Sequence, residues 1–247
     1  MQLKVTMMLV SMLALVALSS TAAAQEGTAG GVGQQVKPSG SSQTSGAGGA
    51  SATWQTLFDG KTLKGWNGDA KYFRVENQTI IAGRFDQRIP HNYFLCTDQT
   101  FGDFELMLQC KLVANPKGPS GNNAGIQFRT QRVAGSTEVS GYQADMGSVS
   151  SGPVWGSLYD ESRRRKFLAS ADAAVVASAL RPGQWNDYRI VCRGDTIQLY
   201  LNGVKTVDYQ ELLPPEKVAR EGVVALQIHS GPPLEAHYRA IRLRQLP

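Results

Sequence analysis

Residues 141–147 read GYQADMG and place a carboxylate close to a carboxamide within one short stretch. Successive side chains of a strand point to opposite faces, so Gln143 and Asp145 share one face and the apolar residues share the other. A solvated outer face explains this pattern in a single strand without any function. A binding or catalytic site requires other strands that carry matching polar residues.

Two further segments carry such residues. The polar faces of three expected strands hold, in chain order, Gln127 and Arg129, Gln143 and Asp145, and Gln227 and His229. Amides donate and accept hydrogen bonds, and arginine and aspartate add charged ones, which suits a polyhydroxylated ligand. Trp155 and Tyr159 could stack on a sugar ring. His229 alone is most simply a structural histidine, but the set together favours a concave sugar-binding face.

Alternating segments predict the elements that position these residues. Strands are expected in the segments 71–83, 101–113, 124–131, 186–194, 196–203, 223–230 and 236–246. Short strands at regular spacing favour an all-β, two-sheet antiparallel sandwich. The Ser157-x-x-Asp160 spacing within residues 155–168 allows either a short helix or a long excursion there.

Composition divides the chain into three parts. Residues 1–24 contain a basic residue, an apolar run and a small-residue end, which is the layout of a signal peptide. Residues 25–52 are Gly/Ser-rich without aromatic residues, so we expect a disordered leader. Residues 53–247 are expected to form one domain. The protein is therefore expected to be exported, to the periplasm or the extracellular space, without a membrane span.

Charge and cysteine content restrict the functional classes. The formal charge of +5 falls to +4 when Lys4 leaves with the signal peptide. The basic run 163–166 is predicted to be a solvated loop or helix face, so nucleic acid is not an expected partner. The three cysteines permit at most one disulfide. Cys110 and Cys192 fall on apolar strand faces, which favours buried free thiols.

Several motifs between Leu57 and Leu243 resemble one known family. They are LFDGKTLKGW, NNAGIQFR, GYQADMG, WGSLYDESRRR, PGQWN, LNG, LQIH and HYRAIRL. Their order is similar to that of the 3-keto-disaccharide hydrolase domain family, also known as the 3-keto-glucoside 1,2-lyase and 3-keto-2-hydroxyglucal hydratase domain. The resemblance implies a concanavalin A-like jelly roll with its site on the concave sheet.

Three motifs depart from the family pattern. The usual Asn-Ser-Gly-Ile has Ala124 at its second position, and the usual Phe-Arg-Asn-Ile is Tyr-Arg-Ala-Ile at 238–241. Gln143 stands where many relatives carry Glu. Asp145 is then the candidate base by default.

The chemistry that the resemblance implies is cleavage of a 3-keto-glycoside by β-elimination and hydration. A ketone at C3 acidifies the C2 hydrogen, so a base removes it, the glycosidic oxygen leaves C1, and water adds to the enone. Asp145 and His229 are the base and acid candidates, in either order. The enolate would be stabilised by Arg129, or by a divalent cation held by Asp145 and His229.

The expected substrate contacts are Gln127, Gln143, Gln227, Trp155, Tyr159, Glu161 and Arg239. The expected partner is an oligosaccharide or glycoside, with a sugar 3-dehydrogenase to make the ketone. Alternatives are a non-catalytic carbohydrate-binding module and an adhesive envelope protein. A conventional glycanase needs two carboxylates across the scissile bond, and Glu161 is the only nearby second one.

Overall fold

The computed structural model describes residues 53–247. The predicted signal peptide (1–24) and leader (25–52) lie outside the described residues. None of the helices in the described part of the chain has the length and apolar character to cross a membrane.

The described chain is built almost entirely of strands. Their bounds, with the one α-helix and one 3-10 turn of residues 53–247, are β1 (Gln55–Thr56), β2 (Trp66–Asn67), β3 (Phe73–Glu76), β4 (Thr79–Arg84), β5 (Tyr93–Thr97), β6 (Phe104–Ala114), β7 (Asn123–Arg132), β8 (Val139–Val149), β9 (Gly152–Pro153), β10 (Leu158–Glu161), β11 (Phe167–Ala169), α1 (Ala173–Ala179), β12 (Asn186–Arg193), β13 (Thr196–Leu201), β14 (Val204–Gln210), a 3-10 turn (Pro215–Lys217), β15 (Val223–Ile228) and β16 (Leu234–Gln245).

These strands form two antiparallel sheets. Sheet A has the order β14-β13-β12-β6-β16-β4-β3 with β1 beside β16, and sheet B has the order β11-β10-β8-β7-β15-β5-β2 with β9 beside β8. Alternate residues of β6 (Phe104, Leu106 and Leu108) and of β8 (Tyr142 and Ala144) meet in one apolar core. Burial of a phenylalanine or leucine side chain in this core contributes about 1.5–3 kcal/mol. The predicted two-sheet antiparallel sandwich is confirmed.

The segment 155–168 differs from both structures predicted for it. Its residues form the short strands β10 and β11, which pair with each other and extend sheet B beyond β8. The helix lies further along the chain, where Asp172 Oδ1 accepts from the backbone N–H groups of Ala174 and Val175 at 2.9 and 3.0 Å and caps α1.

The basic run was predicted to be solvated, and this prediction is wrong for two of its members. Arg163 Nε lies 2.9 Å from Oδ1 of the fully buried Asp160, and its guanidinium stacks 4.6 Å from the centre of the Tyr142 ring. Arg164 pairs with Asp160 and, at 2.6 Å, with Glu211. The run closes the β10–β11 turn because two buried carboxylates require cations.

All three cysteines are buried and free in the described chain. Burial raises the pKa of the Cys96 thiol to about 11 and that of Cys192 to about 12. They are therefore protonated packing residues at neutral pH, as predicted for Cys110 and Cys192.

Candidate functional site

A row of side chains crosses sheet B on its outer face, the face directed away from sheet A. Strand register places in this row, from one edge to the other, Phe167, Tyr159, Gln143, Gln127, Ala225, Cys96 and Asn67. The next row holds Asp145, Gly125, Gln227 and Phe94. Five predicted site residues, Gln127, Gln143, Asp145, Tyr159 and Gln227, therefore lie together.

A chain of hydrogen bonds links three of these residues. Gln127 Nε2 donates to Oε1 of Gln143, and Gln143 Nε2 donates to Oδ1 of Asp145. The Gln143 side chain lies flat across Gly125, where an added Cβ would come within 2.5 Å of the Gln143 amide carbon. Glycine at position 125 therefore leaves the space in which the amide reaches the carboxylate.

A second carboxylate, Glu161, faces the same site from β10. Its Oε2 accepts from Nε2 of Gln227 at 3.2 Å. The Oε1 atoms of Gln127 and Gln227 are buried and have no hydrogen-bond partner among the described residues. An unpaired buried acceptor costs about 1–3 kcal/mol, so these two oxygens are suited to accept from hydroxyl groups of a ligand.

Burial governs the protonation of both carboxyls. It raises the pKa of Asp145 from 3.8 to about 8, with a smaller opposing effect from the Gln143 hydrogen bond and a further increase from the charge of Glu161. Burial also raises the pKa of Glu161, and the charge of Glu138 adds to that effect. Asp145 therefore exchanges its proton close to neutral pH, as a catalytic acid or base must.

His229 lies at the end of the site and is only partly buried. Its Nδ1 is 2.7 Å from the carbonyl oxygen of Ser230, which can only accept, so Nδ1 carries a proton and Nε2 is left for a ligand. From the register, the Cα atoms of Asp145 and His229 are two strands and two residues apart, roughly 12 Å by ordinary sheet spacings. A sugar ring fits between side chains at that separation.

The end of the β7–β8 hairpin bends over this face and covers it. We call residues 130–141 the roof. Val139 packs on Phe94, Cys96 and Ala225, which belong to the two rows described above. Arg132 donates to the backbone oxygen of Asn67 on the far strand β2. In a flat sheet these groups would be too far apart to touch, so sheet B and its hairpin enclose the amide and carboxylate groups.

Glu138 forms hydrogen bonds that connect the roof to residues on both sides of the site. Its Oε1 accepts from Asn92 at 3.2 Å, and its Oε2 accepts from the Ser162 hydroxyl at 3.1 Å. Asn92 in turn accepts from the backbone N–H of Ser230, beside His229. Glu138 thus links the roof to both sides of the face on which Asp145 is buried.

Three predicted site residues lie elsewhere. Arg129 has a φ of 45° at a register shift in β7 and is directed to the end of the sandwich, where it contacts Asp103 at 2.6 Å and the carbonyl oxygens of Gly102 and Gly194. Arg239 lies on sheet A, stacked 4.0 Å from the Trp185 ring centre. Trp155 is in the core, stacked on Tyr188. Arg129 therefore cannot stabilise an enolate at Asp145.

Four residues beside the site were absent from the sequence prediction: Asn92, Asn123, Glu138 and Phe167. Asn123 could have been found, because it has the same alternation as Gln127 in the NNAGIQFR motif. Phe167 contacts Tyr159 edge to face at 5.1 Å. Asn92 and Glu138 lie outside the strands, and only the bend of the roof brings them in.

The metal scheme finds no support in the side-chain arrangement. Among residues 53–247, no group of three or more His, Cys, Asp or Glu side chains is placed to hold a metal ion. Asp145 and His229 also belong to different rows on strands separated by β7. The residues present do not fit a divalent cation.

Comparison with known proteins agrees with this architecture. The sequence profile of the 3-keto-alpha-glucoside-1,2-lyase-like domain matches residues 53–244. A protein from Parabacteroides distasonis assigned as a glycosyl hydrolase is 16% identical with a TM-score of 0.58, over 78% of this chain and 94% of its own. The carbohydrate-binding module CBM66 from Bacillus subtilis is 12% identical with a TM-score of 0.52, over 73% and 96%.

The β-glucanase of Bacillus licheniformis is 11% identical with a TM-score of 0.50, over 83% of this chain and 100% of its own. At these identities the likeness concerns the fold, and it confirms the predicted concanavalin A-like jelly roll. No curated protein matches the chain.

Proposed function

The chain belongs to the 3-keto-alpha-glucoside-1,2-lyase-like domain family, and on this premise we propose that it cleaves 3-keto-glycosides by β-elimination followed by hydration. The observation that carries the proposal is a buried carboxyl, Asp145, with a pKa of about 8, in the same enclosed face as a half-exposed imidazole. A desolvated carboxylate is a stronger base than a solvated one and suits removal of a proton from carbon.

The first step divides between two residues. Asp145 takes the C2 proton, the C2–H electron pair forms the C1=C2 double bond, and the C1–O bond breaks. His229, charged at Nε2, gives its proton to the departing oxygen. Asp145 has the base role because Gln143 Nε2 donates a hydrogen bond to its Oδ1. This hydrogen bond stabilises the charged carboxylate, which is the form that takes the proton from C2.

The second step restores both groups. Water adds its hydroxyl to C1, its proton passes to His229, and Asp145 returns a proton to C2. The sum is hydrolysis of the glycosidic bond. Arg129 lies at the end of the sandwich, so it does not stabilise the negative charge that develops on the C3 oxygen. The remaining amide N–H groups of Gln127 and Gln227 stabilise this charge by hydrogen bonds. A partner oxidoreductase that oxidises C3 must supply the substrate.

The test compares a 3-keto-glucoside with its parent glucoside. Turnover is expected only for the ketone, and deuterium at C2 should slow it, because the C2–H bond breaks in the elimination. Asp145→Asn should lower kcat by about 10²- to 10⁴-fold. Asp208→Asn, a change of the same kind at an exposed position, is the control and should keep full activity.

Equal turnover of ketone and parent sugar would refute the elimination, since the parent C2 hydrogen is not acidic. The second candidate function is a carbohydrate-binding module, favoured by the unpartnered Oε1 atoms of Gln127 and Gln227, which suit hydroxyl recognition without any reaction. Equal binding of both sugars without turnover would support that module.

A further inference from the structure

A large hollow lies next to the site, at the end of the sandwich opposite to Arg129. Its volume is about 810 Å³, which is in the range of small-molecule sites. Sheet A contributes Leu112, sheet B contributes Val149, and the chain that follows α1 contributes Leu180 and Pro182. None of these residues has a role in the reaction proposed above.

This hollow is continuous with the site at His229. A smaller hollow of about 290 Å³ is lined by His229, Ser230 and Asn123, and it shares residues 121–122, 148–150 and Leu234 with the larger one. Asn123 Oδ1, on the His229 side of this passage, is buried without a partner among the described residues. A ligand held between Asp145 and His229 can therefore extend past His229 into the larger hollow.

The lining of the larger hollow is neutral and mainly apolar. Its apolar residues include Leu112, Val149, Pro153, Trp155, Leu180 and Leu234, and the described residues that line it include no ionisable side chain. The Asn186 amide is fully used by the backbone of Arg181 and Gln184. One face of the Trp155 ring is stacked on Tyr188.

From these contacts we infer that the larger hollow binds the aglycone, and that it takes a neutral, mainly apolar leaving group, such as an alicyclic or aromatic alcohol. The direction of binding rests on the proposed function, in which His229 faces the glycosidic oxygen. The leaving group beyond that oxygen then passes through the smaller hollow into the larger one. A charged group would lose its hydration there without gaining a counter-ion, because no ionisable side chain lines the larger hollow.

The test uses three 3-keto-glucosides whose leaving alcohols differ little in acidity: methyl, cyclohexylmethyl and 4-carboxycyclohexylmethyl. Burial of the cyclohexyl ring should raise kcat/KM over the methyl compound by roughly 10- to 100-fold. The 4-carboxycyclohexylmethyl compound should lose most of this gain in kcat/KM, because its carboxylate would be desolvated. A cyclohexylmethyl-to-methyl ratio near 1, or a preference for the carboxylate, would overturn the inference.

Two variants test whether the larger hollow causes the preference for the cyclohexylmethyl compound. Leu180→Arg should bring the cyclohexylmethyl-to-methyl ratio close to 1, whereas the same change at Leu212, which is 86% exposed and remote from the hollow, should leave the ratio unchanged. Because Leu180 packs on the core, its replacement by arginine can also disturb the fold. Ser150→Lys, at an exposed position of the lining, is therefore a second test. It should favour the carboxylate over the neutral ring several-fold. Unchanged ratios in both variants would contradict the assignment.

Calorimetry with the unoxidised glucosides separates this inference from the proposed function. The cyclohexylmethyl glucoside should bind more tightly than the methyl glucoside, and Leu180→Arg should abolish the difference. Tighter binding of the cyclohexylmethyl glucoside, without turnover of any ketone, would refute the elimination but would still support the aglycone site. Turnover without the preference would refute the aglycone site alone.

Discussion

Asp145→Asn should stabilise the protein near neutral pH while it abolishes catalysis. The Asp145 side chain is 3% exposed, and its pKa rises from 3.8 to about 8 because burial penalises the carboxylate. The unfolded chain releases this proton near pH 4, whereas the fold retains it to about pH 8. Between these values the unfolded state binds fewer protons, so the free energy of unfolding falls as pH rises.

The size of the effect follows from the two pKa values. One pKa unit is worth about 1.4 kcal/mol, so at pH 7 the raised pKa lowers stability by on the order of 4 kcal/mol. Asparagine cannot ionise, and its oxygen still accepts from Gln143. A gain of about 2–4 kcal/mol corresponds to a melting temperature roughly 5 to 15 °C higher for a domain of this size.

Urea unfolding of both proteins at pH 4.5, 6, 7 and 8 measures this gain. It should be small at pH 4.5 and largest near pH 8. Asp208→Asn is the matched control, because hydrogen bonding to Lys205 lowers the pKa of that exposed carboxyl, so its loss gives no gain at neutral pH. A pH-independent gain, or none, would mean that the fold does not desolvate Asp145. The assignment of Asp145 as a base with a pKa near neutrality would then lose its basis.

Three further predictions follow from the site and its support. In His229→Ala, where the titration of the proposed acid is removed, the residual kcat/KM should rise with pH to a plateau above about pH 8 if Asp145 is the base; a fall through that pH would assign Asp145 the acid role instead. Arg163→Ala should lower the free energy of unfolding by about 1–3 kcal/mol, measured by urea unfolding, because it removes a partner of the buried Asp160; an unchanged midpoint would contradict the pairing. Gly125→Ala should displace Gln143 and reduce kcat/KM at least tenfold with circular dichroism unchanged, and full activity would contradict the hydrogen-bond chain.

The alternation of side chains made much of the site predictable. Gln127, Gln143, Asp145 and Gln227 were found because each stands opposite apolar neighbours in a strand of period two. The rule fails at Arg129, where the left-handed backbone conformation shifts the register of β7 and turns the side chain to the other side of the sheet. An arginine with positive φ has no local sequence signal.

Tertiary contacts explain the other failures. The run 163–166 has the composition of a solvated loop, and only the positions of Asp160 and Glu211 in the fold show that two of its arginines are paired. Arg239 lies in a motif that resembles the family, but β16 belongs to sheet A and so directs it away from the site. Glu138 and Asn92 meet across a face that only the bent roof closes.

The bend at Arg129 connects these observations. A left-handed residue costs roughly 1–2 kcal/mol, and here three hydrogen bonds to Gly102, Asp103 and Gly194 offset that cost. The bend lays the roof on the apolar part of the site face, the same face on which burial raises the pKa of Asp145 to about 8. Arg129 thus acts on the site through the position of the roof, without touching a substrate. His229 is more exposed than Asp145 and lines the smaller hollow, so in the proposed function a glycoside enters at this end of the site, with its leaving group toward the larger hollow.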